Sequence, residues 1–364
     1  MANRHDVLKR RGEVRVRSAM SKQYDIPIRI ADVLIDLTSP LSAAELGIEE
    51  RLGPFRMTDA REEGRRGKGE VRNSPFTIHP SDFPLEERSE KGEVRNSPFT
   101  IHTSDFPLAR VALRWEESAG PPASQGDLIY DPGSIWKMYR TGTDFYASLA
   151  YQGEGQVAPT QGVIRANSAW DDLTLTEQRT GANWRSLLNL GAGELILRAA
   201  ILFTGGLVFH SAGLDDNGKG IVFVGHAGAG KSTQLGWWLP EPGVIAMNDD
   251  RVAVRPNAAG AICYGTPWGG TANIARNHQA PLAALILLEQ APENDIQPLT
   301  PSAAASSLLA RTFLPYWDRG LMLRAAANLN VLLARAPVYR LRCRAEPEVV
   351  PLVRSVLCSS PTAS

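Results

Sequence analysis

The chain has 364 residues, enough for one large domain or two small ones. Lysine plus arginine and aspartate plus glutamate both number 39, so the formal net charge is zero, and neither nucleic acid nor a membrane surface is implied as a partner. Cys263, Cys343 and Cys358 are odd in number and lack metal-ligand spacing, which fits reduced thiols in the cytoplasm.

The first twenty residues, MANRHDVLKRRGEVRVRSAM, are basic but lack an apolar core, so a secretory signal is not expected. The longest apolar run, near residues 199–209, is too short to span a bilayer. Residues 26–38 (IPIRIADVLIDLT) alternate and are rich in β-branched side chains, as in a strand; residues 1–59 form the N-terminal segment. Then KGEVRNSPFTIHPSDFPL, starting at Lys68, recurs from Lys91 with Thr103 in place of Pro80. Two near-identical copies between charged flanks poor in apolar residues read as an insertion over residues 60–108, expected to be disordered.

Order is expected to resume at VALRWEES (111–118). Short strand-like runs separated by turn residues then predict a small, mainly antiparallel β region over residues 109–183. Residues 184–203 have the helical period, and GGLVFHSAGL, DDNGKG and IVFVG read as a hairpin turning at Asn217-Gly218. Downstream, GVIAMNDDRVAVRP reads as strand, polar interruption and strand, and LAALILLEQ as a buried strand. SAAASSLLARTF and residues 320–335 read as helices, PVYRLRCR as a strand and EPEVVPLVRSVL as a closing helix. Mixed strands and helices over residues 184–364 predict an α/β domain that binds a nucleotide.

The nucleotide expectation rests on IVFVGHAGAGKST (221–233), where Gly225, Gly230, Lys231 and Ser232 fit Gly-x-x-x-x-Gly-Lys-[Ser/Thr] between a strand and a helix. In such a P-loop the backbone of Gly225, His226, Ala227, Gly228, Ala229 and Gly230 wraps a polyphosphate. Lys231 reaches the outer phosphates of ATP, Ser232 holds Mg²⁺, and Thr233 continues the binding segment. Asp249 and Asp250 lie 18 and 19 residues beyond Lys231, at the end of an apolar strand. Carboxylates there can hold Mg²⁺ or accept the proton of an attacking hydroxyl. His210 lies on the strand that pairs with the loop's own strand and can support such a carboxylate. Arg251 and Arg276 are further candidate cations near the γ-phosphate.

The run VFHSAGL…GIVFVGHAGAGKST…AMNDDRVAV resembles the core of HPr serine kinase/phosphorylase and the wider superfamily of ATP-dependent phosphoenolpyruvate carboxykinase. GTPWGG is similar to kinase-like proteins of peptide-modification gene clusters, including the SynChlorMet cassette group and kinases of lasso-peptide precursors. The resemblance covers roughly residues 190–345 in arrangement. It implies an HPr kinase/carboxykinase-like fold, an α/β mixed sheet with a P-loop and flanking helices. It also implies a kinase that uses ATP and Mg²⁺ to phosphorylate a Ser or Thr hydroxyl of a peptide or small protein. His210, Asp249 and Lys231 would be catalytic, and Ser232 and Asp250 the metal ligands; nothing in the sequence fixes which aspartate is base and which is ligand. His226 departs from the family's loop, and the later kinase/phosphorylase signature is not found in GTPWGGTANIARNH, which argues against phosphorolysis. A non-catalytic ATP-binding protein and a small-metabolite kinase stand as alternatives, and a homo-oligomer is left open.

Overall fold

The computed structural model describes residues 22–57, 107–150, 160–181 and 184–359. The expected insertion and both repeated segments, apart from Pro107 and Leu108, lie outside the described residues.

The first half builds one eight-stranded sheet from β1 (Tyr24–Ile30), β2 (Val33–Ser39), β3 (Ala109–Glu117), β4 (Asp127–Tyr130), β5 (Trp136–Thr141), β6 (Asp144–Leu149), β7 (Gly162–Ala166) and β8 (Asp172–Glu177). A short helix, α1 (Glu49–Leu52), follows β2. The spatial order is β1-β2-β3-β8-β7-β6-β5-β4. β3 runs parallel to β2 and to β8, and the other neighbours are antiparallel. Every second residue of β1 and β2 is buried, as period-two side chains require when one face meets a core.

The single strand expected over 26–38 is in fact a hairpin. Ile30 pairs with Val33, and the two turn residues Ala31 and Asp32 adopt φ +49° and +62°. A two-residue turn of this hand needs left-handed backbone at both positions, for which glycine or asparagine is the usual signal. Here the turn is held by its own side chain instead: the Asp32 carboxylate accepts from Arg29, from Arg255 and from the Tyr264 hydroxyl at 2.7 Å.

The second half contains α2 (Gly191–Ala200), β9 (Leu207–Asp216), β10 (Lys219–Val224), α3 (Lys231–Trp238), β11 (Val244–Asn248), β12 (Arg251–Asn257), β13 (Gly260–Gly265), β14 (Gln279–Gln290), β15 (Asp295–Pro298), α4 (Pro301–Leu309), α5 (Arg319–Leu333), β16 (Val338–Cys343) and α6 (Val349–Ser359). The strand order is β10-β9-β12-β13-β14-β16-β15, with β11 also on β9 and β10 also on β14. β10 is antiparallel to β9 but parallel to β14. The β9–β10 hairpin turns at Asn217 and Gly218, with φ +53° and +87°.

Central strands here are buried on both faces, which is why they read as unbroken apolar runs. On β10, Ile221 and Phe223 pack with Leu235 and Trp238 of α3 and with Val349 and Val353 of α6. Val222 and Val224 point the other way, into a core shared with α2, α4 and α5. That second core continues without a break into the first sheet, through Ile28, Leu113 and Trp170. The described residues thus form an α/β architecture of two large mixed sheets flanked by helices. Among them no helix is long and apolar enough to cross a membrane.

Candidate active site

At the end of β10 the chain turns sharply through Gly225. A Cβ there would lie 2.7 Å from the Ala229 Cβ, so the loop closes on itself only over glycine. Gly228 and Gly230 take φ +80° and +102°, and α3 starts at the next residue. Among the described residues, no hydrogen bond reaches the amide N–H groups of Ala227, Gly228 or Gly230; Ala229 donates to the His226 carbonyl at 3.1 Å. The Gln290 amide, on the end of β14, steadies the tip by donating to the Gly228 carbonyl at 2.9 Å.

Lys231 is only 7% exposed. Its ammonium donates to the carbonyls of Gly225 at 2.9 Å and His226 at 3.0 Å. Burial lowers its pKa below the ordinary lysine value; the Arg311 charge adds to this effect and Asp250 opposes it. Ser232 and Thr233 are exposed on the first turn of α3. His226 is exposed, with Nδ1 donating to the Ala227 carbonyl at 2.6 Å.

Between β11 and β12 a tight turn splits the two aspartates. Asn248, fully buried, accepts from the backbone N–H groups of Asp250 (2.8 Å) and Arg251 (2.6 Å), and its amide donates to the carbonyls of Thr266 and Trp268. Asp249 points into the following loop, where its carboxylate accepts from the amides of Gly270 (2.7 Å), Ala272 (2.7 Å) and Ile274 (3.2 Å). Backbone amides take three of its roughly four lone-pair positions and the side chain is almost fully buried, so Asp249 fits an architectural role in this loop better than the role of base expected from the sequence.

Asp250 faces the other way. One oxygen lies 3.1 Å from His210 Nε2 and the other is paired with Arg251. Burial raises its pKa, but the hydrogen bond from His210 and the charges of Arg251 and Lys231 outweigh that, and the net shift is downward. His210 is held in place by its backbone N–H, which donates to the Arg311 carbonyl at 2.8 Å, and its ring lies 6.0 Å from that of Phe313. In register, His210 stands opposite Arg251 across the β9–β12 pair. The structure therefore brings the glycine loop, Lys231, His210, Asp250 and Arg251 together.

No family model matches the chain, and no curated protein matches it significantly.

Three contributors were not singled out from the sequence. Asn248 orients the turn, Glu194 reaches Arg251 Nε at 3.1 Å from α2, and the Arg311 charge acts on Lys231. Asn248 had a legible cue, since asparagine before two further turn residues caps their amides. Glu194 and Arg311 are distant in sequence, and only tertiary packing delivers them. Arg276 is not brought in by any side-chain contact among the described residues; it is exposed and donates only through its backbone, to Met247. Chemically, free amides, an ammonium and a helix start offer a cradle for a polyphosphate. The ionised Asp250 beside them offers a proton acceptor.

Proposed function

We propose that the protein is a kinase that transfers the γ-phosphoryl group of ATP to a hydroxyl, with residues 225–233 as its phosphate loop and Asp250 as its base. The observation that carries this reading is the divergence of the aspartates: Asp250 alone of the two faces Lys231 and His210. In the proposed reaction, an acceptor oxygen attacks the γ-phosphorus and its proton passes to the Asp250 carboxylate. The bond from the γ-phosphorus to the β–γ bridging oxygen breaks, and ADP leaves with that oxygen. His210 positions Asp250 and keeps it ionised. Lys231 exchanges its contacts with the loop carbonyls for the phosphates and stabilises the transferred charge, with Arg311 as a second cation.

The residues also fit a magnesium ion carried in by the nucleotide. Among the described residues no group of three or more His, Cys, Asp or Glu side chains forms a metal cage. Magnesium bound to nucleotide instead takes most ligands from phosphate and water. Ser232 Oγ, exposed and without a hydrogen bond among the described residues, would hold it, and the ion would offset phosphate charge. Asp250, expected from the sequence as a metal ligand, becomes the base once Asp249 is withdrawn. The acceptor class, a Ser or Thr hydroxyl of a peptide or small protein, rests on the resemblance of the motifs.

Calorimetric titration with Mg·ATP tests the loop. Lys231→Ala should weaken binding roughly tenfold or more, about 1.4 kcal/mol. Equal affinity in the variant and the wild type would refute a phosphate-binding role for residues 225–233.

A further inference from the structure

Arg251 has a second face. Besides Asp250 it lines a cavity of about 390 Å³ walled by Arg51, Trp136, Glu194, Arg198 and Gly269. That volume lies within the roughly 300–1,000 Å³ of sites that hold small molecules. Three arginines and one glutamate make the lining net positive, and the glutamate is already engaged by Arg251.

Arg198 is the informative member. Its guanidinium lies over the rings of Phe313 and Trp136, at 5.2 Å and 5.9 Å. Among the described residues it makes no hydrogen bond and no ion pair, and neither does Arg51. Burial pulls the Arg198 pKa down to about 10, against the opposing charge of Glu194. Arg198 is half-buried and shares its nearest carboxylate, Glu194, with Arg251, so a bound anion would supply the hydrogen-bonded partner that its guanidinium lacks among the described residues. The start of α2 adds to the same field. Its N-cap, Leu190, offers no side-chain acceptor, and Leu190 and Gly191 both line the cavity. Backbone amides and the helix dipole there favour negative charge, which Glu194 in the first turn supplies in part.

We propose that this cavity is the acceptor site and that it holds an anionic group, a carboxylate or a phosphate, carried by the molecule whose hydroxyl is phosphorylated. Arg198 and Arg51 bind the anion, Trp136 packs against its carbon skeleton, and Arg251 joins the cavity to Asp250. The inference rests on the kinase reading, because it makes the cavity the entry for the attacking hydroxyl.

The test is calorimetry on the full chain, with the phosphate loop saturated by the imido analogue of Mg·ATP so that added anions cannot occupy it. The probes are N-acetyl-L-serine, inorganic phosphate and the neutral N-acetyl-L-serinamide. At least one anion should bind roughly tenfold or more tightly than the amide, and the stronger of the two identifies carboxylate or phosphate as the recognised group. Arg198→Gln and Arg51→Gln should each weaken that anion by roughly tenfold, whereas Arg198→Lys should retain part of it. Affinity for the nucleotide analogue should be unchanged in all three. Arg51→Gln lies on a partly exposed helix, so it reports even if Arg198→Gln fails to fold. Equal binding of anion and amide, no binding of any probe, or anion binding untouched by both glutamine variants would overturn the proposal. The kinase reading is judged separately: a wild type that does not bind Mg·ATP sinks it. Anion binding that survives Lys231→Ala but not Arg198→Gln would still belong to the cavity.

Discussion

At the scale of single residues, two neighbouring carboxylates have opposite fates. Asp249 accepts three backbone amides, and Asp250 is paired with His210 and Arg251 and feels the charge of Lys231. Asp249→Asn would turn an amide group toward those donors and leave at least one of them unsatisfied. Such a loss costs about 1–3 kcal/mol, which denaturant unfolding would register as a lowered midpoint. Asp250→Asn should cost less stability, because its partners are partly solvated, yet it should lower phosphotransfer roughly a hundredfold. The opposite pattern, a stability defect at Asp250 and a catalytic one at Asp249, would reverse the assignment. The sequence announced the pair but not its order. Each side chain's direction depends on Asn248 and on which amides the loop at residues 269–274 presents.

Among the elements, legibility followed turn chemistry. The β9–β10 hairpin was readable because Asn217-Gly218 suits the left-handed backbone that its turn requires. The β1–β2 hairpin was not, since Ala31-Asp32 carries the same backbone signs without glycine or asparagine, and residues 26–38 therefore read as one strand. Gly218→Ala should accordingly destabilise by about 1–2 kcal/mol, the cost of a left-handed backbone for a residue with a Cβ. An added Cβ there meets nothing within 4 Å, so the effect is conformational rather than steric. An unchanged unfolding midpoint would show that the turn relaxes to another form. The strands Asp172–Glu177, Gly260–Gly265 and Asp295–Pro298 also escaped sequence reading. β8 alternates but is flanked by polar residues, the apolar run Ala261–Tyr264 is only four residues long between glycines, and the stretch at 295–298 is short and weakly apolar.

For the whole molecule, the Asp32 carboxylate, held by Arg255 and Tyr264 of β12 and β13, is a polar tie between the first sheet and the second beside their shared apolar core. Burial raises its pKa most, but the hydrogen bonds from Arg29 and Tyr264 and the charges of Arg255 and Arg29 prevail, leaving it below the ordinary 3.8. The unfolded chain therefore binds the proton first as pH falls. The contribution to stability is full above the ordinary value and fades as pH drops through the folded one. Asp32→Ala should cost about 3–5 kcal/mol at neutral pH, since it breaks a buried pair from one side. Its unfolding free energy should also fall less steeply than the wild type's between roughly pH 5 and pH 3. Parallel pH profiles would show that this carboxylate does not stabilise the fold.

The central claim concerns what the assembled sheets do together, and transfer of label tests it most directly. The full chain would be incubated with γ-labelled Mg·ATP and a library of serine- and threonine-bearing peptides, with nucleotide affinity measured on the same samples. A labelled phosphoester should form with the wild type and fall roughly a hundredfold in Asp250→Asn, while affinity for Mg·ATP changes by no more than a few fold. Undiminished transfer in Asp250→Asn, or a bound nucleotide whose label reaches no hydroxyl, would contradict the account.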